Sequence, residues 1–203
     1  MRIGVLGTGM VGRAISGKLE ALGHDVRVGS RTAGDGAVVF ADAAAHGEVV
    51  FNCTNGAGSL DALAAAGAEN LAGKLVVDTS NPLDFSGGGP ALFTTSTESL
   101  AERIQAAFPD ARVVKALNTV NNSVMVDPAS VPGDHVVFVC GDDDAAKAQA
   151  RELLGEFGWP AERVLDLGDI SGARGAEMYL ILWIRLMQAM GPGFNIAVLS
   201  ASA

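Results

Sequence analysis

The sequence predicts an α/β fold: a doubly wound, mostly parallel sheet with a small helical cap toward the C-terminus. Three observations lead there. Short apolar runs alternate with helix-length stretches along the chain. Those runs are continuous rather than alternating, which burial of a strand on both faces requires. Glycine is abundant, 26 of 203 residues, while aromatics make up only 5%, a balance that suits close packing of helices on a sheet. With 49% hydrophobic and 18% charged residues, the chain can bury a core and lacks the composition of a disordered one.

The elements follow in order. Arg2 to Leu6 reads as a strand, and a helix opens in the glycine-rich turn after it and runs to Leu22, with Gly23 as its stop. Asp25 to Gly29 is a second strand, 30–36 a polar loop, and Phe40 to Ala45 a short helix. Val49 to Cys53 is the third strand, followed by a turn at Thr54-Asn55-Gly56 and a helix over Leu60 to Ala66. Leu75 to Asp78 is the fourth strand. A long loop containing Gly87-Gly88-Gly89-Pro90 leads into a helix from Ser99 to Phe108. Arg112 to Leu117 and Val136 to Cys140 are the fifth and sixth strands, and a helix runs from Asp142 to Phe157. Val164 to Leu167 is extended, one long helix covers Ala173 to Met190, and Phe194 to Leu199 forms an apolar extended end. A division into a dinucleotide-binding unit, 1–150, and a C-terminal cap, 151–203, is expected.

The turn Gly7-Thr8-Gly9-Met10-Val11-Gly12 is the strongest motif. A Gly-x-Gly-x-x-Gly alone is weak, but here it follows a strand, opens a helix, and is followed by a second strand at Asp25. Gly7 permits the tight turn, Gly9 lets backbone approach a pyrophosphate, and Gly12 lets helix pack on strand. That is the signature of a Rossmann-type nucleotide site, with free N–H groups at the helix start facing the anion. An NAD site wants a carboxylate at the end of the second strand. This chain has Ser30 and Arg31 instead, a hydroxyl beside a planar cation, which suits a 2′-phosphate and predicts NADP(H).

The other strand ends carry Cys53-Thr54-Asn55, Thr79-Ser80-Asn81 and Ala116-Leu117-Asn118-Thr119. Together they offer small polar groups for ribose hydroxyls and a nicotinamide amide, although Asn and Thr are also ordinary turn residues. No nucleophile elbow or Cys–His pair is assignable, and no His or Cys sits at metal-ligand spacing. Asp142-Asp143-Asp144 is read as carboxylates at a helix start rather than a cation site. No catalytic acid or base is expected, and the chemistry falls to the cofactor. Fourteen basic against 23 acidic residues give a net charge of −9, so nucleic acid is not an expected partner. Cys53 and Cys140 each end an apolar run, as buried free thiols in a reducing cytoplasm would. Glycines at 4, 7, 9 and 12 interrupt the first apolar stretch, so no leader is expected, and the apolar run Met178 to Met190, with Arg185 in its middle, falls short of the about 20 residues a membrane span needs. The apolar helix 173–190 carries Arg185 and is expected to be core or a subunit interface.

On these residues the chain resembles the NADP-dependent coenzyme F420 reductases, related to the nucleotide domain of pyrroline-5-carboxylate reductases. The resemblance lies in Arg2 to Gly12, Gly23-His24, Val28 to Arg31, Val113 to Thr119, Val139 to Asp144, and Ser171 to Arg174 with Glu177. It implies hydride transfer between nicotinamide and a 5-deazaflavin in a homodimer whose pocket includes the C-terminal segment. It also implies that Thr8 to Val11 hold the pyrophosphate and Ser30-Arg31 the 2′-phosphate. Val113 to Thr119 and Asp84 to Pro90 are similar as well to the cytosolic NADPH domain of six-transmembrane metalloreductases, whose acceptor is a flavin. The acceptor is therefore read as coenzyme F420 or a related flavin. Two alternatives stay open: a non-enzymatic NADP(H)-sensing module, and a small hydroxyacid or imine reductase, whose usual long helical domain has little room here.

Overall fold

The computed structural model describes residues 1–201. The amino-terminal half is built from β1 (Arg2–Leu6), α1 (Met10–Ala21), β2 (Asp25–Ser30), β3 (Val38–Val39), α2 (Phe40–His46) and β4 (Val49–Asn52). It continues through α3 (Ser59–Ala66), α4 (Ala68–Leu71) and β5 (Leu75–Asp78). A two-stranded antiparallel ribbon, β6 (Leu83–Asp84) with β7 (Ala91–Leu92), occupies what sequence suggested was only loop. Then come α5 (Leu100–Ala107), β8 (Arg112–Ala116), α6 (Asn122–Val126), β9 (Val137–Cys140), α7 (Asp144–Phe157) and β10 (Val164–Asp166). The chain ends with α8 (Ala173–Met178) and α9 (Leu180–Met190).

Eight strands form one sheet in the order β10-β9-β8-β5-β4-β1-β2-β3. Neighbouring residues on a strand point to opposite faces, and both faces are covered. Ile3, Phe51, Val77 and Val114 enter one core with Phe157 and Trp159, while Leu6, Val50, Val76 and Val113 enter the other with Leu63 and Ile104. This is the Rossmann-type architecture expected. It departs from a wholly parallel sheet at one edge, where β9 pairs antiparallel with β8 and β10 follows it in parallel. The connection from β8 to β9, residues 117–136, holds the five-residue α6 and a 3-10 turn at Pro128–Ser130 but no helix long enough to carry the chain back along the sheet for a parallel return.

Two further differences concern the C-terminal part. The boundary expected at 150/151 falls inside α7, and β10 belongs to the sheet, so the chain leaves the sheet only after residue 166. The single helix expected over 173–190 is interrupted at Tyr179, which keeps helical dihedrals of φ −58° and ψ −26°. Its apolar surface is not core throughout: Leu180 and Ile184 are buried, but Leu182 and Met190 are 55% and 66% exposed. Beyond it, 194–199 is not a strand. Phe194 packs on Trp183, and the Val136 N–H donates to Ile196 O at 2.9 Å. No helix among the described residues is long and apolar enough to cross a membrane.

Candidate dinucleotide site

The strand order reverses between β1 and β4, and a cleft of about 1020 Å³ opens beside that point, at the carboxyl ends of β1, β2 and β4. Ligand crevices form at such a switch point because the two connections leave the sheet in opposite directions. The glycine turn forms one wall. Gly7 has φ +119°, and a Cβ there would lie 2.6 Å from Cys53 O. At Gly12 a Cβ would lie 1.9 Å from Gly7 O, so any larger residue would push α1 off its turn. A Cβ at Gly9 would meet nothing within 4 Å, which leaves open space over the start of α1.

The electrostatics suit an anion. Gly9 is the N-cap of α1, supplies no side-chain cap, and no acidic residue occupies the first turn. The first N–H groups, including those of Met10 and Val11, have no acceptor from earlier in the helix, and the dipole adds partial positive charge there. A phosphate group fits this cradle, with Thr8, Gly9, Met10 and Val11 as the residues that would hold it.

Of the residues singled out from sequence, Gly7, Thr8, Gly9, Ser30, Arg31, Cys53, Thr54 and Asn55 line this one cleft. Ser30 Oγ donates to Thr32 O, so its proton is engaged inside the loop. Thr54 Oγ1 donates to Asn52 Oδ1 at 2.6 Å, and Asn55 Oδ1 accepts from Ala57 N at 3.1 Å. Burial pushes the Cys53 thiol up to about 12, so it is inert as a nucleophile at neutral pH. Cys140 is likewise buried and pushed up to about 12, and both cysteines are free. Arg13, Asp35 and Asp61 also line the cleft. Arg13 stands one residue past the glycine motif, and that position was its available signal.

Asn81, Ala116 and Asn118 do not line this cleft. They sit at or just past the carboxyl ends of β5 and β8, which continue the same edge of the sheet. Asn81 Nδ2 donates to Asn118 O at 2.9 Å, and Asn118 Nδ2 donates to Asn81 Oδ1 at 3.0 Å and to Ala176 O at 3.1 Å. The two amides thus lock two strand ends to α8. Leu117, just before Asn118, is buried with φ +62°, a left-handed conformation that costs about 1–3 kcal/mol in a branched residue.

Beneath these ends lies a charged group that sequence reasoning missed. Lys115 Nζ is 2.8 Å from Asp78 Oδ2 and 2.8 Å from Glu177 Oε1, with all three side chains almost wholly buried. It also donates to Ser80 O at 2.6 Å. Glu177 Oε2 accepts from Leu100 N at 2.7 Å and Oε1 from Ala101 N at 3.1 Å, so a residue of α8 caps the start of α5. Burial alone would lower the Lys115 pKa, but the Asp78 and Glu177 carboxylates outweigh it and leave it raised. Arg174 adds a carboxylate pair with Glu102 in the first turn of α5. Asp143 caps α7 by accepting from Ala146 N at 2.8 Å, the helix-start role expected for that acidic run.

Comparison with known proteins places this geometry. A crystal structure of a protein from Arthrobacter sp. FB24, assigned as an F420-dependent NADP reductase, is 49% identical, superposes with a TM-score of 0.92, and is matched over 98% of this chain and 99% of that one. The chain belongs to the F420-dependent NADP reductase family. The family model described as NADP oxidoreductase, coenzyme F420-dependent, matches residues 2–82, the segment from β1 through the loop after β5. The F420-dependent NADP reductase of Methanocaldococcus jannaschii is 31% identical over 63% of this chain and 58% of its own length. Metalloreductase STEAP3 of Rattus norvegicus is 30% identical over 87% of this chain and 36% of its own length. The chain therefore spans about a third to three fifths of these two curated relatives. An imine reductase of Streptomyces aurantiacus, 18% identical with a TM-score of 0.65, shares the fold alone.

Proposed function

We propose that the protein is an NADPH-dependent oxidoreductase that moves a hydride between NADP(H) and coenzyme F420 or a related flavin. The observation that carries this reading is the end-to-end match, at 49% identity, to the Arthrobacter protein assigned as an F420-dependent NADP reductase. The two redox rings supply the hydride chemistry when bound. The chain's own task is to bind and orient them, which is where positioning contributes most to such a transfer.

In this reading Gly7 to Gly12 cradle the pyrophosphate and Ser30 with Arg31 recognise the 2′-phosphate. Cys53, Thr54 and Asn55 shape the middle of the site by backbone and small polar groups. Asn81, Ala116 and Asn118 form its nicotinamide end, with Asn118 Oδ1, which accepts no hydrogen bond from the described residues, as the group for the carboxamide. The segment from 170 onward walls the acceptor side, and the exposed apolar surface of α9 supports a homodimer. Two buried free thiols support a reducing cytoplasm, and the net charge of −9 argues against nucleic acid as a partner.

The decisive experiment mixes protein with NADPH and oxidised coenzyme F420 and follows the deazaflavin absorbance, with FMN and FAD in parallel. Loss of deazaflavin absorbance with stoichiometric NADPH oxidation supports the F420 reading, and turnover of FMN or FAD alone moves the acceptor to a flavin. Tight NADPH binding with no turnover of any ring acceptor would sink the enzymatic reading in favour of a sensing module.

A further inference from the structure

We propose that Arg13 is a second guanidinium for the 2′-phosphate, approaching from α1 while Arg31 approaches from the loop after β2. This assignment rests on the NADP(H) reading above. Arg13 lies in the second turn of α1, close to the positive end of the helix dipole, where a cation is disfavoured. No acidic residue in the first turn offsets it, and among the described residues no carboxylate lies within ion-pair distance of it. Among the described residues its one side-chain hydrogen bond is from Nη1 to Thr8 O at 2.8 Å, which braces the glycine turn. A guanidinium carries five N–H donors, so the other four have no partner among the described residues, and Arg13 is exposed and lines the cleft. A cation set against a dipole without a carboxylate is a local rule broken, and a bound anion is what repairs it.

Charge in the cleft points the same way. The charged residues lining it are Arg13, Arg31, Asp35 and Asp61. Without Arg13, one guanidinium faces two carboxylates in a chain of net charge −9, a poor host for a phosphate dianion. Hydroxyls supply no charge to make up the difference, and two of them are already engaged: Ser30 Oγ donates to Thr32 O, and Ser16 Oγ donates to Arg13 O at 3.3 Å. Among the residues lining the cleft, the two arginines are the cationic donors for an extra phosphate. Arg13 and Ser16, about a turn apart on α1, line the same cleft as Val28, Ser30 and Arg31, and α1 packs along β2, which puts the adenosine side within the reach of a long side chain from this helix.

The test is calorimetry of NADPH, NADH, 2′,5′-ADP and 5′-AMP on the wild type and on Arg13→Ala, Arg13→Lys and Arg31→Ala. Arg13 is exposed, so the fold should survive substitution, and unchanged melting of the free variants checks this. R13A should weaken NADPH and 2′,5′-ADP by about tenfold to a hundredfold, and NADH and 5′-AMP by no more than about threefold. R13K should recover part of the loss, since it keeps the charge but not the fork. Equal losses for phosphorylated and plain nucleotides, or no loss in R13A, overturn the assignment while the wild-type preference for NADPH stands. A wild type that does not distinguish NADPH from NADH overturns the NADP(H) reading and this inference together.

Discussion

Lys115 shows how much of this protein depends on single side chains. Its ammonium joins β5 through Asp78, the loop after β5 through Ser80 O, and α8 through Glu177. Removing one partner from a buried ion pair leaves uncompensated charge in a medium that solvates it poorly, a loss of about 3–5 kcal/mol. Lys115→Met should lower unfolding free energy by that amount in urea titrations, and adding Asp78→Asn should recover part of it by removing one of the stranded carboxylates. A K115M loss below about 1 kcal/mol would mean that packing, not charge, holds these strand ends. Because the folded pKa of Lys115 is raised, its contribution is fully present at neutral pH and is lost only as pH climbs above the ordinary lysine value. The triad escaped sequence reasoning for a plain reason. Its members lie on β5, β8 and α8, and Lys115 within an apolar run gives no hint of its two partners.

At the level of elements, α9 is an apolar helix that the described chain only partly covers. Its sequence is apolar almost all round, yet only Leu180 and Ile184 are buried, while Leu182 and Met190 stay exposed with Met178 of α8 beside it. The homodimer proposed above would cover this stripe. Leu182→Glu should shift the protein from dimer to monomer in sedimentation velocity without unfolding it. A wild type that sediments as a monomer at every concentration would refute the homodimer. The contrast with α1 is instructive. There the motif spells out where the helix starts, because steric contact at Gly7 and Gly12 leaves no other residue type.

For the molecule as a whole, binding and stability are linked through the switch-point cleft. A ligand that binds only the folded chain adds about 2.7 kcal/mol at a hundred times its dissociation constant, or roughly 5–10 °C in melting temperature for a chain of this size. NADPH at saturating concentration should raise the melting temperature by that order, and NADH at the same concentration by clearly less. Equal shifts for both would count against recognition of the 2′-phosphate. The C-terminal segment belongs to this same unit. Glu177, Arg174 and the carbonyl of Ala176 tie α8 to α5 and to the end of β8, so unfolding should be a single transition.

The sequence by itself determined the fold class, the parallel strands β1, β2, β4, β5 and β8, the glycine turn that opens α1, and the place of Ser30 and Arg31 at the end of β2. Each of these is written in contiguous residues, as a continuous apolar run or as glycines at fixed spacing whose sterics are local. Tertiary structure alone decided the reversal of β9 and β10, the mutual engagement of Asn81 and Asn118, the burial of Lys115 between two carboxylates, and the presence of Arg13 and two aspartates in the cleft. Those features depend on which distant residues the twisted sheet brings within a few ångströms, and hydrophobic periodicity carries no record of that distance.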